Sequence, residues 1–475
     1  MTYRHIPAAD LKDSGIQKAF DAAVHNLTGI NTIACDFDVY NATGLLNGDV
    51  PMMIRAGGSY QTPWTRDAAI NSWAAGRFLE PEVARNTLFA VCVKDENGDP
   101  IIQPDDQRWD RVVWIVGAWQ YYLATGDREF LEIARGIAYR GLKRLDQEWF
   151  SEEVGLYRGG SFFNDGISGY PADIYEPNMD HSFMGAHPAT ETIMCLSTNC
   201  IYCEAWRILD RMNALLGISD AEPSRRHLAL KETILATFWN ADTKKCSYIR
   251  YSDGRMDASQ ELAGISFGVL FGILPGEALD DLLQEEYGIP SIMPPFAGLF
   301  SKERPGRHNN LVWPFLNGFF IQAAAFAGKA DAAAAELKKM TRLLNSADGI
   351  YEIYNPYDGS VDGGWQIGGD DLQGHLWDSC PDQTWSASCF IGAVVSGIFG
   401  IRVGEEDVSF APNVPEIMAN ASLRDLWIRG KRFHVTLSGF GSRVAAVTVN
   451  GNALETAKLA FADACEDNEI LLTLA

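Results

Sequence analysis

The sequence has no long apolar run and few basic residues, and each shortage excludes a class of protein. No run of about 18 consecutive apolar residues occurs, so a membrane-spanning helix is not predicted. Residues 1–7 lack the apolar core of a secretory signal, and we expect a cytoplasmic protein. Lys and Arg number 39 against 62 Asp and Glu, a net charge of −23, which disfavours nucleic acid and anionic membranes as partners.

Cysteine is sparse and irregularly spaced. The nine cysteines are odd in number and scattered, which is typical of reduced, buried thiols rather than of a disulfide framework. Cys200 and Cys203 have the spacing of a metal or redox pair, but they lie inside an apolar helical pattern with no second pair, which indicates core packing. No His, Asp or Glu spacing indicates a metal site, and we predict no metal and no cofactor.

Apolar residues are plentiful and follow a helical period. The 475 residues are 47% hydrophobic and only 21% charged, enough for a large core. Helices that are apolar on almost every face alternate with amphipathic ones. The predicted pairs are 67–79 with 81–91, 112–123 with 130–145, 190–216 with 224–238, 262–274 with 277–284, and 311–327 with 330–344, before a last apolar helix at 385–399. Residues 1–400 are therefore predicted to form an all-α toroid, apolar helices inside and amphipathic ones outside.

The period changes after residue 400. Alternating apolar and polar residues occupy 431–437 and 444–449, separated by a turn at 439–441. Asn450 and Gly451 form a strong hairpin signal. We predict that residues 401–475 are a small antiparallel β domain, too short for a second catalytic domain.

The loops before the apolar helices carry the polar and aromatic residues. With 13 Trp and 16 Tyr in an acidic chain, neutral sugars are the ligands that these loops fit best. Arg66 and Asp67 form a donor and acceptor pair that can bind vicinal hydroxyls, although a helix cap with a salt bridge explains them equally well. The candidate substrate-binding residues are Trp64, Arg66, Asp67, Asp106, Gln107, Trp109, Asn310, Trp313, Tyr354 and Trp385.

Two carboxyl groups are the candidate catalytic residues. Glu352 lies among tyrosines in a loop bounded by Gly and Pro, where it is badly placed for helix capping and well placed to activate water. A solvated loop Glu is the alternative interpretation. Asp165 lies in a loop rich in Gly and Phe, and flanking rings are expected to raise its pKa as a general acid requires. A turn Asp is the alternative interpretation. The rivals for the acid role are Asp173, Glu176 and Asp180.

The order of these motifs resembles a known group of enzymes. Trp64-Thr65-Arg66-Asp67, the glycine-rich loop of Asp165, Asn310-Leu311-Val312-Trp313-Pro314, residues 352–356 and residues 383–386 follow one another. This series is similar to the six-hairpin, (α/α)6-barrel glycoside hydrolases, in particular processing α-glucosidase I, mannosylglycerate hydrolase and trehalase. The first segment also resembles that of glucoamylases. The likeness extends over about residues 60–400.

The resemblance implies an exo-acting, inverting hydrolase that acts on an oligosaccharide or small glycoside. The Glu of these relatives that activates water corresponds to Glu352. Their acid, in a Gly-x-Asp-x-Ser loop, corresponds to Asp165, which here is one residue further from Ser168. The glucoamylase segment implies that Arg66 and Asp67 bind a terminal, α-linked, gluco-configured sugar.

Other functions are compatible with the same sequence. A phosphorylase on this fold would replace the base by phosphate, which the retained Glu352 disfavours. A sugar epimerase would use histidines, and His181, His187, His308 and His375 are available. A carbohydrate-binding protein without activity is the alternative from a different class. Release of sugar from glycosides, and its dependence on phosphate, separates these functions.

Overall fold

The structure is a computed structural model that describes residues 7–104, 107–176, 181–280, 282, 296–297, 306–368 and 371–475. Its long helices alternate in character along most of the chain. They are α1 Ser14–His25, α2 Thr65–Asn71, α3 Pro81–Ala90, α4 Asp110–Thr125, α5 Arg128–Trp149, α6 Leu196–Leu216, α7 Glu222–Phe238, α8 Leu262–Leu270, α9 Pro314–Phe326, α10 Ala330–Leu344 and α11 Thr384–Gly392. Wider turns continue three of them, namely Asn26–Ile30 after α1, Ser72–Gly76 with Arg77–Leu79 after α2, and Ala393–Ile398 after α11. Short single turns lie at Phe37–Tyr40, Ile167–Gly169, Ala172–Ile174, Met184–Ala186, Pro188–Glu191, Gly276–Leu279 and Glu416–Met418.

Helix ends follow from local sequence. The carboxylate of Asp127 accepts a hydrogen bond from the backbone N–H of Phe130 at 2.9 Å and so caps α5. Gly126 ends the preceding helix in the left-handed conformation, with φ of 71°, which a glycine adopts without steric cost. Pro81 occupies the first turn of α3, where its missing N–H leaves no bond unmade. The chain therefore turns back sharply between neighbouring helices.

Six apolar helices pack against one another in chain order. α2 contacts α4, α4 contacts α6, α6 contacts α8, α8 contacts α9, α9 contacts α11, and α11 packs back against α2. α3, α5, α7 and α10 each pack against the helix that precedes them, and α1 packs on α10 and α11. The predicted half-exposed partner is present in α5, α7 and α10, whereas α3 is buried over Val83 to Ala90.

Several predicted helix ends are wrong for local reasons. The helix predicted from residue 190 begins at Leu196, because Pro188–Glu191 forms a separate tight turn. The one predicted from residue 311 begins at Pro314, because Val312 forms a β-bridge with Tyr354. The described part of the helix predicted at 277–284 begins with the turn Gly276–Leu279, and residues 281, 283 and 284 lie outside the described residues.

The chain ends in a region rich in β-structure. One sheet has the order Ala8–Asp10, Ser422–Ile428, Lys431–Ser438, Asp467–Leu474, Val444–Val449 and Asn452–Leu454. A second sheet joins Ile401–Val403, Asp407–Phe410 and Lys458–Ala460. The predicted turn at Asn450 and Gly451 is confirmed, since Val449 pairs directly with Asn452.

Two features of this region differ from the prediction of an antiparallel domain at 401–475. Lys431–Ser438 pairs in parallel with Asp467–Leu474, because the last strand inserts between the two strands that were expected to form a hairpin. The strand Ala8–Asp10, from the other end of the chain, also joins the sheet beside Ser422–Ile428. Neither pairing has a local sequence signal, because both join segments that are distant in the chain.

Short strands stiffen the loops between helices. They pair as Thr32–Ala34 with Met52–Ile54, Cys92–Lys94 with Pro100–Ile102, Phe150–Ser151 with Leu156–Tyr157, Met194–Cys195 and Met256–Asp257 with Ile249–Arg250, Trp239–Asn240 with Lys245–Cys246, Gln260–Glu261 with Phe296–Ala297, and Trp365–Gly368 with Asp371–Leu376. The last pair forms a hairpin in the long loop before α11.

The cysteines are unpaired thiols, and all except Cys465 are buried. Cys200 and Cys203 lie inside α6, as the apolar pattern predicts. Among the helices of the described residues, none combines the length and apolar character that crossing a bilayer requires.

Glu261 is a buried carboxyl group directly before α8, and it predicts a pH dependence of stability. Its side-chain Oε2 accepts a hydrogen bond from the Ser197 N–H at 3.1 Å, and within the described chain its Oε1 has no hydrogen-bond partner. Burial raises the pKa of Glu261 to about 8, the Ser197 bond opposing that rise. The folded chain therefore keeps this proton at pH values where the unfolded chain, with an ordinary pKa of about 4.3, has lost it.

Relative to Glu261→Gln, we expect the wild type to lose stability as pH rises from about 4.3 towards 8, by up to about 1.4 kcal/mol per pH unit. Urea unfolding of both proteins at pH 5 and pH 8 measures this difference. An equal effect of the substitution at both pH values would contradict it.

Candidate active site

Loops between the helices surround a cavity of about 1080 Å³. Its walls come from the segments that precede the inner helices, including residues 59–67 before α2, 307–313 before α9 and 376–385 before α11. Both predicted catalytic carboxyl groups, Asp165 and Glu352, line it. The structure therefore brings together two acids that are far apart in sequence, in a hollow of the size that binds small ligands.

Asp165 is held by donors on both of its oxygens. His308 Nε2 lies 2.8 Å from Oδ1, while Gln107 Nε2 and Arg66 Nη2 lie 3.2 Å and 3.4 Å from Oδ2. Arg66 also donates to the Phe163 carbonyl at 3.1 Å, which ties the Asp165 loop to the start of α2. The carboxyl group is thus fixed in orientation by three loops.

The predicted rise in the pKa of Asp165 is wrong. Burial does push this pKa upwards, and it is the largest single influence. The hydrogen bond and charge of His308, with the charges of Arg66 and Arg307, together outweigh it and lower the pKa of Asp165 below its usual range. These neighbours therefore favour the ionised form of Asp165.

Glu352 lies deeper and faces one cation. Arg307 Nη2 donates to Glu352 Oε2 at 2.7 Å, and the backbone N–H of Glu352 donates to the Cys380 carbonyl at 2.9 Å. Burial raises the pKa of Glu352, Arg307 opposes the rise, and the negative charge of Asp165 adds to it. A second carboxyl group in the same cavity raises a pKa in this way.

Most of the predicted sugar-binding residues line this cavity. They are Trp64, Arg66, Asp67, Gln107, Trp313 and Trp385. The Arg66 guanidinium lies 5.3 Å from the centre of the Trp385 ring. Asp67 is buried, and its desolvation raises its pKa well above the usual value although Arg66 opposes this. A carboxyl group of that kind is a strong hydrogen-bonding partner for a hydroxyl.

Three predicted binding residues do not line the cavity. Trp109 is 1% exposed and packs in the hydrophobic core, because its turn leads directly into the apolar helix α4. Tyr354 is buried, and its hydroxyl accepts a hydrogen bond from the Tyr351 N–H, so that Tyr351 faces the cavity instead. Asn310 lies in the turn before α9 and does not reach the wall. Asp106 lies outside the described residues.

The two described rivals of Asp165 are not in the cavity either. Asp173 is a surface residue that accepts hydrogen bonds from Tyr251 and Arg255. Glu176 is exposed and does not contribute to the wall, while Asp180 lies outside the described residues. Among described acids in this part of the chain, Asp165 is thus the one that faces the cavity.

Sequence reasoning missed the basic side chains that contact the two acids. Arg307 and His308 stand next to each other and contact Glu352 and Asp165 respectively. His308 is 3% exposed, stacks on Trp313 and places Nδ1 3.0 Å from Gln366 Oε1. Gly166 packs so closely on this ring that a Cβ there would lie 2.0 Å from Nδ1. The polar residues before α9 were the available sequence signal, but they did not indicate which acid each basic side chain contacts.

Of the histidines considered for an epimerase, His308 lines the cavity, and His181 and His187 do not. His187 is buried and contacts the Glu176 N–H and the His181 carbonyl. The side chain of His375 is outside the described part of the structure. Within the described residues, no cluster of three His, Cys, Asp or Glu side chains is placed to hold a metal ion.

The comparison with protein families identifies the class of protein to which this chain belongs. The family model of the mannosylglycerate hydrolase MGH1-like glycoside hydrolase domain matches residues 110–386, more than half of the chain. The chain belongs to this family.

Solved structures share the fold at low sequence identity. A structure described as a sialidase has a TM-score of 0.70 and 14% identity over 97% of this chain and 42% of its own. A GH78 family rhamnosidase of Bacillus sp. GL1 has a TM-score of 0.58 and 15% identity over 98% of this chain and 43% of its own. A GH63 mannosylglycerate hydrolase from Thermus thermophilus, in complex with glucose, has a TM-score of 0.54 and 13% identity over 79% of this chain and 99% of its own. The chain thus spans about two fifths of the first two structures. No curated protein matches the sequence significantly.

Proposed function

We propose that this protein is an exo-acting, inverting glycoside hydrolase in which Glu352 activates water and Asp165 protonates the leaving oxygen. The observation that carries the proposal is that Asp165 and Glu352 line one cavity. Inversion needs two carboxyl groups about 6.5–9.5 Å apart, on opposite sides of the anomeric carbon, with one water between the sugar and the base.

The scaffold we propose is an (α/α)6 toroid. The support is the order of contacts, in which six apolar helices follow one another and the last packs on the first. Such a ring explains how loops from both halves of the chain supply one cavity. The small C-terminal β region would then be a packing module, with the active site entirely in residues 1–400.

Glu352 is suited to the role of base. Arg307 at 2.7 Å favours its ionised form, while burial raises its pKa. A carboxylate whose pKa lies closer to the working pH is a stronger base for water. Arg307 is itself fixed, because its Nη1 donates to the Gly363 carbonyl at 2.7 Å.

Asp165 needs a proton, and His308 is positioned to hold it. Nδ1 of His308 faces the acceptor Oε1 of Gln366 and so carries a hydrogen, with the amide orientation as assigned. The 2.8 Å contact between Nε2 and Asp165 Oδ1 then contains one further proton, on one atom or the other. We propose that this pair shares the proton that the leaving oxygen receives. After the reaction the pair regains it from solvent, and Glu352 releases the proton taken from water.

The substrate we propose carries a terminal, α-linked, gluco-configured sugar. Arg66 and Asp67 would bind neighbouring hydroxyls, and Trp313 and Trp385 would cover the ring and exclude water. The catalytic carboxyl Glu352 is 5% exposed, whereas Trp64 nearer the solvent is 46% exposed. This increase in exposure from Glu352 to Trp64 fits a sugar chain whose end enters the cavity better than a long polymer that lies across the cavity.

Hydrolysis of a panel of α- and β-glycosides tests the proposal, with NMR of the first-formed sugar. We expect hydrolysis of an α-glycoside without added phosphate, and a first product of β configuration. Retention of the α configuration would overturn the inverting mechanism. Absence of hydrolysis across the panel would overturn the function, and dependence on phosphate would indicate a phosphorylase.

A further inference from the structure

The mouth of the cavity has a cluster of exposed apolar side chains that the catalytic carboxyl groups do not explain. Trp64, Val361, Leu376 and Trp377 line the cavity and are 46%, 36%, 74% and 41% exposed. Large apolar side chains that stay exposed together mark a binding surface rather than a core. The polar and buried groups lie further inside, around Asp165 and Glu352.

These side chains are held in place by the backbone. Trp377 donates its backbone N–H to the Gly364 carbonyl at 2.9 Å, and a Cβ on Gly363 would lie only 1.8 Å from the Trp377 carbonyl oxygen. Trp64 has a φ of 39°, an uncommon conformation for a residue other than glycine, and its ring meets Tyr60 edge to face at 6.3 Å. A surface fixed in this way is preorganised for a ligand.

The charge at the mouth is negative. Asp362 and Asp378 line it beside Trp377. Arg307, a cation of the described wall, contacts the Glu352 carboxylate and the carbonyls of Gly363 and Asp378. A leaving group that carries a carboxylate would therefore approach two like charges, Asp362 and Asp378.

We infer that Trp64, Val361, Leu376 and Trp377 form the subsite for the leaving group, which is neutral and presents a flat apolar face. A second sugar ring and a cyclic alcohol share this chemistry, because both stack on indole rings. The inference rests on the proposed hydrolase function, and it excludes a small acid such as glycerate as the preferred leaving group.

The test uses glycosides of one sugar, the one that the panel identifies, with leaving groups of similar basicity. They are the methyl, cyclohexylmethyl, disaccharide and glyceric acid glycosides. We expect kcat/KM of the wild type to be about tenfold higher for cyclohexylmethyl or disaccharide than for methyl, as one stacked ring contributes, and lowest for the glyceric acid glycoside. If kcat/KM rises above that of the methyl glycoside for the disaccharide alone, the leaving group is a sugar. If it rises for the cyclohexylmethyl glycoside alone, the leaving group is a cyclic alcohol.

Variants tie this ratio to the subsite. Trp377→Ala should reduce the tenfold ratio to about twofold or less, Trp377→Phe should keep most of it, and a melting curve shows that each variant is folded. The matched control is Phe440→Ala, an exposed ring of the β region that should leave every rate unchanged. Equal kcat/KM values for methyl and cyclohexylmethyl, or fastest hydrolysis of the glyceric acid glycoside, would overturn the inference while leaving the hydrolase function intact. Absence of hydrolysis of all four would instead overturn the function on which it rests.

Discussion

Glu352→Gln is expected to lower kcat/KM by about 10²- to 10⁴-fold on every glycoside, the range over which a positioned general base contributes. Glutamine keeps the size of the side chain and still faces Arg307, but it cannot take a proton from water. The loss should be equally large for glycosyl fluorides, because attack of water is needed whatever the leaving group. Initial rates on an alkyl glycoside and on the fluoride of the same sugar measure it.

Asp165→Asn, assayed on the same two substrates, should distinguish the role of Asp165 from that of Glu352. Hydrolysis of the alkyl glycoside should fall by about 10²- to 10⁴-fold, because its leaving oxygen needs a proton. Hydrolysis of the fluoride should retain most of its rate, because fluoride leaves with little help from an acid. Asp173→Asn, which changes a surface acid outside the cavity, is the control and should leave both rates unchanged.

Two outcomes would contradict the assignment. If Glu352→Gln retained the fluoride rate and Asp165→Asn lost it, the roles of the two acids would be exchanged. If both variants retained full activity on the alkyl glycoside, neither residue would be catalytic. A melting curve of each variant distinguishes loss of chemistry from loss of fold.

The sequence predicts the inner helices well because burial and period act locally. α4 and α9 are apolar on nearly every face, and a helix of that kind must lie inside whatever packs around it. The parallel pairing of Lys431–Ser438 with Asp467–Leu474 is different, because it depends on where a distant segment is delivered. Local sequence signals therefore predicted the helices and strands but not which two strands pair in the sheet.

The same division holds in the cavity. Glu352 stands out in the sequence because its loop is one of several along the chain that are rich in polar and aromatic residues. Trp109 and Tyr354 have similar surroundings in sequence. The ring of Trp109 nevertheless packs in the hydrophobic core, and the hydroxyl of Tyr354 accepts a local hydrogen bond from the Tyr351 N–H. The direction of an aromatic side chain at the start of a helix is decided by tertiary packing, which composition does not report.

The pKa of Asp165 is the sharpest case. Composition predicts desolvation by phenylalanines, and burial does act in that direction. The contacts of Asp165 with His308 and Arg66 join loops that are far apart in the chain, and these contacts reverse the sign. A pKa depends on which charge lies within a few ångströms, so it is predictable only after the fold is known.

His308→Gln is expected to lower kcat/KM on alkyl glycosides at pH 7 by about 10²-fold and to move the alkaline limb of the pH profile to lower pH. With histidine, Nε2 contacts Asp165 Oδ1 at 2.8 Å, and we propose that the two side chains share one proton. With glutamine, the proton must reside on Asp165 alone, a carboxyl group of ordinary pKa about 3.9 that burial raises and Arg66 lowers. Above that pKa the protonated fraction of Asp165 falls about tenfold for each pH unit. This fall determines the loss of kcat/KM at pH 7 and the shift of the alkaline limb to lower pH.

The pH profile separates a proton-holding role of His308 from a merely structural one. If His308 only packed against Trp313, the variant would lose rate equally at all pH values, and the fluoride would be affected as much as the alkyl glycoside. If it holds the proton, the fluoride rate should change little and the alkyl glycoside should regain activity as the pH is lowered. His227→Gln, at the contact of α6 with α7, is the matched control and should leave the profile unmoved. If the alkaline limb of the pH profile did not shift in His308→Gln, His308 would have no role in holding the proton. Asp165 would then have to become protonated only once the substrate is bound.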